Sequence, residues 1–236
     1  MTANLSIKLF ADGANLDDML AAQASGKISG FTTNPTLMRK AGIKDYAAFA
    51  KHVLTKIKDV PISFEVFSDD LPEMERQARK IATWGDNVYV KIPVTNTKGD
   101  FTGPILYTLS RDGIKLNVTA IFTLEQVHDV VQALDAKTPS VISVFAGRVA
   151  NAGIDPMPIM RASVAIAKKL PLAEVLWASP REALNVLQAQ DCGCHIITMT
   201  PDLIKGTSAF GKDLTEFSLE TVQMFYDDAK AAGYSL

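Results

Sequence analysis

An alternation constrains this chain more than any single motif. Runs of apolar, strand-forming residues recur along its length, and helical patterns fall between them. The runs are 6–12 (SIKLFAD), 28–34 (ISGFTTN), 61–67 (PISFEVF), 87–96 (NVYVKIPVTN), 116–122 (LNVTAIF), 140–146 (SVISVFA), 174–179 (EVLWAS) and 195–199 (HIITM). They are rich in Val, Ile and aromatic residues, which suit a pleated and buried surface. The intervening segments include LPEMERQARKIATWG, TLEQVHDVVQALDA and DPMPIMRASVAIAKKL. The last opens on Asp155-Pro156, read as an N-cap with proline at the first helical position. Strands that are almost continuously apolar and separated by helices belong to a parallel sheet covered on both faces. Eight β–α units in about 200 residues fit a (β/α)8 TIM barrel. A doubly wound open sheet is the weaker alternative, because no G-x-G-x-x-G follows the first run.

No linker or low-complexity tract divides the chain, so 1–236 reads as one barrel domain. After the eighth run comes a further helix over 213–232. It has an apolar face (Leu214, Phe217, Val222, Phe225, Ala229) and extra apolar residues off that face (Leu219, Met224, Tyr226). The surplus either caps the barrel or docks on another subunit.

With 24 basic and 26 acidic residues the net charge is −2, which argues against a nucleic-acid partner. There is no apolar run of about 18 residues and no signal-type N-terminus, so the chain reads as cytoplasmic without a membrane partner. Cys192, Cys194 and His195 invite a metal reading, but a structural zinc needs four ligands, and His52 and His128 lie far along the chain. The plainer reading is a loop turning at Gly193 into a buried strand. No metal and no cofactor are expected.

Side chains alternate along a strand, so polar residues inside these runs can be assigned to a face. In the fourth run Tyr89, Lys91 and Pro93 share one face, and Val90 and Ile92 suit the strand–helix interface, so Lys91 points into the barrel. Asp12 ends the first run. Thr32 and Asn34 share a face of the second, Ser63 and Glu65 of the third, Asn117 and Thr119 of the fifth, Ser143 and Phe145 of the sixth, and Trp177 and Ser179 of the seventh. One buried polar residue is ordinarily a satisfied structural one, and Trp177 reads equally as core or as substrate wall. A whole set near the C-terminal strand ends is costly as packing and sits where barrel active sites are built.

The set permits a definite chemistry. Burial favours the neutral amine that attacks a carbonyl, and a nearby carboxylate such as Glu65 opposes that effect. A protonated imine on Lys91 would be an electron sink for retro-aldol cleavage. Asp12 or Glu65 would take the hydroxyl proton. Asn34, Asn117 and Ser143 suit a polyhydroxylated substrate. Arg148 and Arg181 follow the sixth and seventh runs with Ser179 beside them, and arginine matches phosphate oxygens bidentately.

In combination and in order, FADGAN (10–15), GFTTNPT (30–36), FEV (64–66), VYVKIPVT (88–95), LNVTAIF (116–122), SVFAGRV (143–149) and WASPRE (177–182) resemble the transaldolases, in the short bacterial subfamily that includes fructose-6-phosphate aldolases. The resemblance runs over nearly the whole chain. It implies that Lys91 is the Schiff-base lysine and Asp12 the acid/base at the C4 hydroxyl. Glu65 and Thr119 would hold a catalytic water. Asn34, Asn117 and Ser143 would grip the dihydroxyacetone portion, and Arg148, Ser179 and Arg181 the phosphate, with Thr33 on the same substrate loop.

Fructose-6-phosphate aldolases usually carry Gln and Tyr at the positions matching Glu65 and Phe145. Glu and Phe here imply transfer to an aldose phosphate instead of release of dihydroxyacetone, as in the pentose phosphate pathway. Gly13 departs from the Thr found beside the aspartate in many relatives. Homo-oligomers, pentameric or decameric, are implied, with the C-terminal helix reaching a neighbour. Three readings follow: a transaldolase for sugar phosphates; a dihydroxyacetone-releasing aldolase, or a transaldolase for another anionic sugar such as a sulfonate; and a sugar-phosphate-binding barrel without turnover.

Overall fold

The computed structural model describes residues 5–236, so the first four residues of the expected domain lie outside the described residues. The strands are β1 (Lys8–Asp12), β2 (Gly30–Thr32), β3 (Ile62–Glu65), β4 (Val88–Pro93), β5 (Leu116–Ile121), β6 (Ser140–Val144), β7 (Ala173–Trp177) and β8 (Ile196–Met199). They pair in parallel and in sequence order, and β8 returns to β1 to close the barrel. Each apolar run therefore holds one strand. Closure leaves no free sheet edge.

The helices are α1 (Leu16–Ala24), α2 (Pro35–Lys40), α3 (Tyr46–Lys56), α4 (Leu71–Ala82), α5 (Gly103–Arg111), α6 (Leu124–Ala133), α7 (Ala146–Asn151), α8 (Met157–Ala167), α9 (Asn185–Asp191), α10 (Pro201–Gly206) and α11 (Leu214–Ala232). Their starts are written locally. Asp70 accepts the Glu73 N–H at the head of α4, and Thr123 and Gln126 form a reciprocal capping box at α6. α8 begins one residue later than expected. Pro156 is the last residue before the helix, and Asp155 Oδ1 accepts the Met157 N–H at 3.0 Å.

Two layers of side chains follow from strand alternation. Outward residues such as Val90, Ile92, Val118, Ile142 and Val175 pack on Met74, Ala78 and Ile81 of α4, Leu106 and Leu109 of α5, and Val127 and Val130 of α6. Each fully buried aliphatic side chain contributes about 1.5–3 kcal/mol. Trp177 belongs to this outer layer, at 0 % exposure, while Leu176 and Ala178 face the lumen. The expectation that Trp177 and Ser179 share the inward face is thus corrected. β7 ends at Trp177, and Ser179 takes φ 60, so it has left the two-residue alternation and says nothing about the parity of Trp177.

The lumen changes character along the strands. Phe10, Val141, Leu176 and Ile196 form an apolar floor, with Tyr89 packed against it. Gly30 makes room for that floor: a Cβ there would lie 2.5 Å from the Phe10 ring. Two residues further along, the same strands present Asp12, Thr32, Lys91, Ser143 and Thr198. The polar layer thus sits at the C-terminal mouth.

α11 buries none of its residues, so it does not cap the barrel. Leu214, Phe217, Leu219, Val222, Met224, Phe225 and Tyr226 are all exposed. No described helix is long and apolar enough to cross a membrane.

Candidate active site

A cavity of about 520 Å³ opens at the polar mouth, a size suited to a small ligand. Of the residues singled out in the sequence, Asp12, Thr32, Asn34, Glu65, Lys91, Thr119, Ser143, Phe145, Arg148 and Ser179 line it. Ser63, Trp177, Asn117, Thr33 and Arg181 do not. Asn117 lies just beneath, fully buried: its amide donates to Ser63 Oγ at 2.9 Å, and its Oδ1 accepts from Ser143 at 2.7 Å. The Thr33 hydroxyl donates to the Ser63 carbonyl at 2.8 Å. Arg181 is exposed, and its Nε donates to Asn151 Oδ1 at 3.0 Å.

Lys91 is at the centre, 7 % exposed, because β4 alternation turns it away from the helices. Its Nζ lies 3.2 Å from Glu65 Oε2 and donates to the Thr33 carbonyl at 3.4 Å. β3 and β4 pair with Glu65 opposite Lys91, so the register itself brings acid and amine together. Burial pushes the Glu65 carboxyl above its usual range, while the Lys91 charge and hydrogen bond pull it back. Burial likewise raises Asp12, against the Lys91 charge and the Thr32 hydroxyl, which donates to Asp12 Oδ1 at 3.0 Å. Two carboxylates with raised pKa values around one amine are suited to taking up and returning protons.

Backbone irregularities shape the mouth. β5 carries a bulge: Val118 pairs with Ile142 and Ile121 with Val144, so Thr119 and Ala120 together oppose Ser143. Ala120 takes φ 60 to achieve this, and both bulged residues line the cavity. The Thr119 hydroxyl is buried and has no partner among the described residues. It is free to bond something in the cavity. Asn34 ends the β2 loop and caps α2, its side chain accepting the Leu37 N–H at 2.9 Å. At the rim the Arg148 guanidinium stacks 5.3 Å from the Phe145 ring centroid, and Ser179 lines the same cavity.

Sequence reasoning missed three contributors. Thr198 of β8 lines the cavity and hydrogen-bonds Thr32, extending the Asp12–Thr32 pair across the barrel. Its signal was one hydroxyl in an apolar run. Lys40, at the end of α2, adds a second cation to the rim. Tyr46 of α3 accepts the Glu65 N–H from behind the strand at 2.7 Å. Elsewhere, Gly193 takes φ 76 between α9 and β8, as the plainer reading of DCGCH expected. His195 Nδ1 accepts the Val175 N–H at 3.0 Å, and burial pushes the Cys194 thiol up to about 12. Among the described residues no group of three His, Cys, Asp or Glu is gathered to hold a metal.

The model of the Transaldolase/Fructose-6-phosphate aldolase family matches residues 9–236. The chain belongs to that family. A probable transaldolase of Thermoanaerobacter sp. (strain X514) is 39% identical over 194 residues, covering 82% of this chain and 85% of the relative. One from Streptococcus equi subsp. zooepidemicus (strain MGCS10565) is 36% identical over 225 residues, covering 94% and 97%. Among solved structures, an aldolase named QR15 superposes with a TM-score of 0.57 at 14% identity, covering 87% of this chain and 94% of its own. The KGPDC of Streptococcus mutans also gives 0.57, at 9% identity, covering 86% and 95%. At such identities these two speak for the barrel fold alone. The chain is a transaldolase-type enzyme of this family.

Proposed function

We propose that this member of the transaldolase family transfers a dihydroxyacetone unit from a ketose phosphate to an aldose phosphate through a Schiff base on Lys91. Fructose 6-phosphate or sedoheptulose 7-phosphate would be the donor, and glyceraldehyde 3-phosphate or erythrose 4-phosphate the acceptor, as in the pentose phosphate pathway. The observation that carries the reading is the buried Lys91 amine, 3.2 Å from Glu65 in a cavity that also holds Asp12.

In this reading Lys91 Nζ attacks the C2 carbonyl, and water leaves to give a protonated imine. Glu65 exchanges protons with that water, which the Thr119 hydroxyl helps to hold. Asp12 takes the C4 hydroxyl proton. The C3–C4 bond breaks, its electron pair enters the imine to form an enamine, and C4 departs as the aldehyde of the shorter sugar. The enamine then attacks the acceptor aldehyde, Asp12 returns its proton, and hydrolysis frees the amine. The imine is its own electron sink, so these steps call for no cofactor.

Asn34, Ser143 and, through Ser143, Asn117 suit the hydroxyls of the three-carbon unit. Arg148 and Ser179 suit the phosphate, which Arg181 would join by leaving Asn151. A homo-oligomer joined through α11 and a cytoplasmic location complete the reading. The test is product analysis of fructose 6-phosphate with and without erythrose 4-phosphate. Sedoheptulose 7-phosphate formed only with the acceptor, and abolished in Lys91→Met, is the expected result. Free dihydroxyacetone at equal rate without acceptor would make the enzyme an aldolase. Binding without turnover would make it a barrel that only holds sugar phosphates.

A further inference from the structure

The β2–β3 ladder stops one bond early, and Tyr46 stands at the break. Phe31 N–H donates to the Pro61 carbonyl at 2.9 Å, and Thr33 N–H to the Ser63 carbonyl at 3.1 Å. Parallel strands continue such a series in even steps. The next bond would run from the Glu65 N–H to the Thr33 carbonyl. Instead the Glu65 N–H donates to the Tyr46 hydroxyl at 2.7 Å, and the Thr33 carbonyl accepts from Lys91 Nζ at 3.4 Å.

Tyr46 is the first residue of α3 and does not line the cavity. Its ring is held by edge contacts with Phe64 and Phe67, at centroid distances of 6.4 Å and 5.5 Å, and by Trp84 at 6.2 Å. Burial holds the phenol above its ordinary pKa. The group therefore stays a neutral hydroxyl, able both to accept and to donate.

We propose that Tyr46 is a positioning residue for the reaction: by accepting the Glu65 N–H it leaves the Thr33 carbonyl to Lys91 and fixes the strand end that aims Glu65 at the amine. This rests on the Schiff-base reading. Without the hydroxyl, the Glu65 N–H turns to the Thr33 carbonyl. The ladder gains a bond, and Lys91 loses an acceptor.

Tyr46→Phe keeps the ring and removes the hydroxyl. The expected result is a fall of about tenfold in kcat and in the rate of borohydride-trapped adduct on Lys91, with KM for fructose 6-phosphate within about twofold of wild type. Phe67→Leu loosens the same aromatic cluster and spares the hydroxyl, so it keeps kcat near wild type. A folded Tyr46→Phe enzyme with kcat within about twofold of wild type, or an equal loss in Phe67→Leu, overturns the proposal. Should Tyr46→Phe not fold, Tyr46→Met fills the same space without a hydroxyl. Slower trapping there supports the proposal, and an unchanged rate overturns it. An absent adduct on wild-type Lys91 removes the Schiff-base reading itself, whatever the variants do.

Discussion

Asp12 is held by the fold at a cost to the fold. A carboxyl whose pKa rises on folding binds its proton more tightly in the native state. Stability therefore falls as pH climbs from the ordinary carboxylate value, about 3.9, through the raised one. Asp12→Asn removes that loss while keeping an acceptor for the Thr32 hydroxyl. The variant is expected to melt higher than wild type at pH 8, by about 2–4 °C for each kcal/mol recovered, and the gap is expected to close toward pH 4. Thermal melts at the two pH values check this; a lower midpoint at pH 8 would contradict it. Transfer activity should be lost in the same variant. Asp12, Glu65 and Lys91 were legible in the sequence because a charge inside an apolar run has few innocent explanations. Tyr46 and Thr198 were not. Tyr46 sits in an ordinary helical pattern and acts across a contact of 19 positions, and Thr198 is a single hydroxyl whose partner lies 166 positions away.

Between elements, the approach of α7 to the end of β7 shapes the rim. The Gly147 N–H donates to the Ala178 carbonyl at 3.3 Å, and a Cβ on Gly147 would lie 1.6 Å from the Ser179 carbonyl oxygen. Only glycine permits that approach, and it fixes the backbone at Ser179, which lines the same cavity as Arg148. Gly147→Ala must push the β7 end away. Because a phosphate grip is remote from the reacting carbons, the expected effect is a rise of about tenfold in KM for fructose 6-phosphate with a smaller change in kcat. Steady-state kinetics of the purified variant decide it, and an unchanged KM would take Ser179 out of the phosphate site. Here sequence pattern reached its limit. Alternation follows from regular strand geometry, so it located Lys91 within β4. It failed for Trp177, because the chain leaves that geometry at Ser179. Nor does the sequence show which way a rim arginine turns, and Arg181 pairs with Asn151 while Arg148 faces the cavity.

At the scale of the molecule, the eightfold alternation was plain because each strand is covered on both sides and so is largely apolar up to the polar layer at its C-terminal end. α11 is the exception to that economy. Its exposed Phe217, Val222 and Phe225 form an apolar surface that a lone barrel leaves in water. If a second copy covers it, Phe225→Asp should shift the sedimentation mass from an oligomer toward the 25.5 kDa chain. A wild-type protein already sedimenting at that mass would contradict the oligomer. The imine on Lys91 can be trapped directly. The wild-type enzyme is incubated with fructose 6-phosphate and reduced with borohydride, and its intact mass and peptide map are taken. A Schiff base on Lys91 leaves a stable three-carbon adduct confined to the peptide bearing that lysine. A folded enzyme that turns over its substrate and yields no adduct, or one on another lysine, would contradict it.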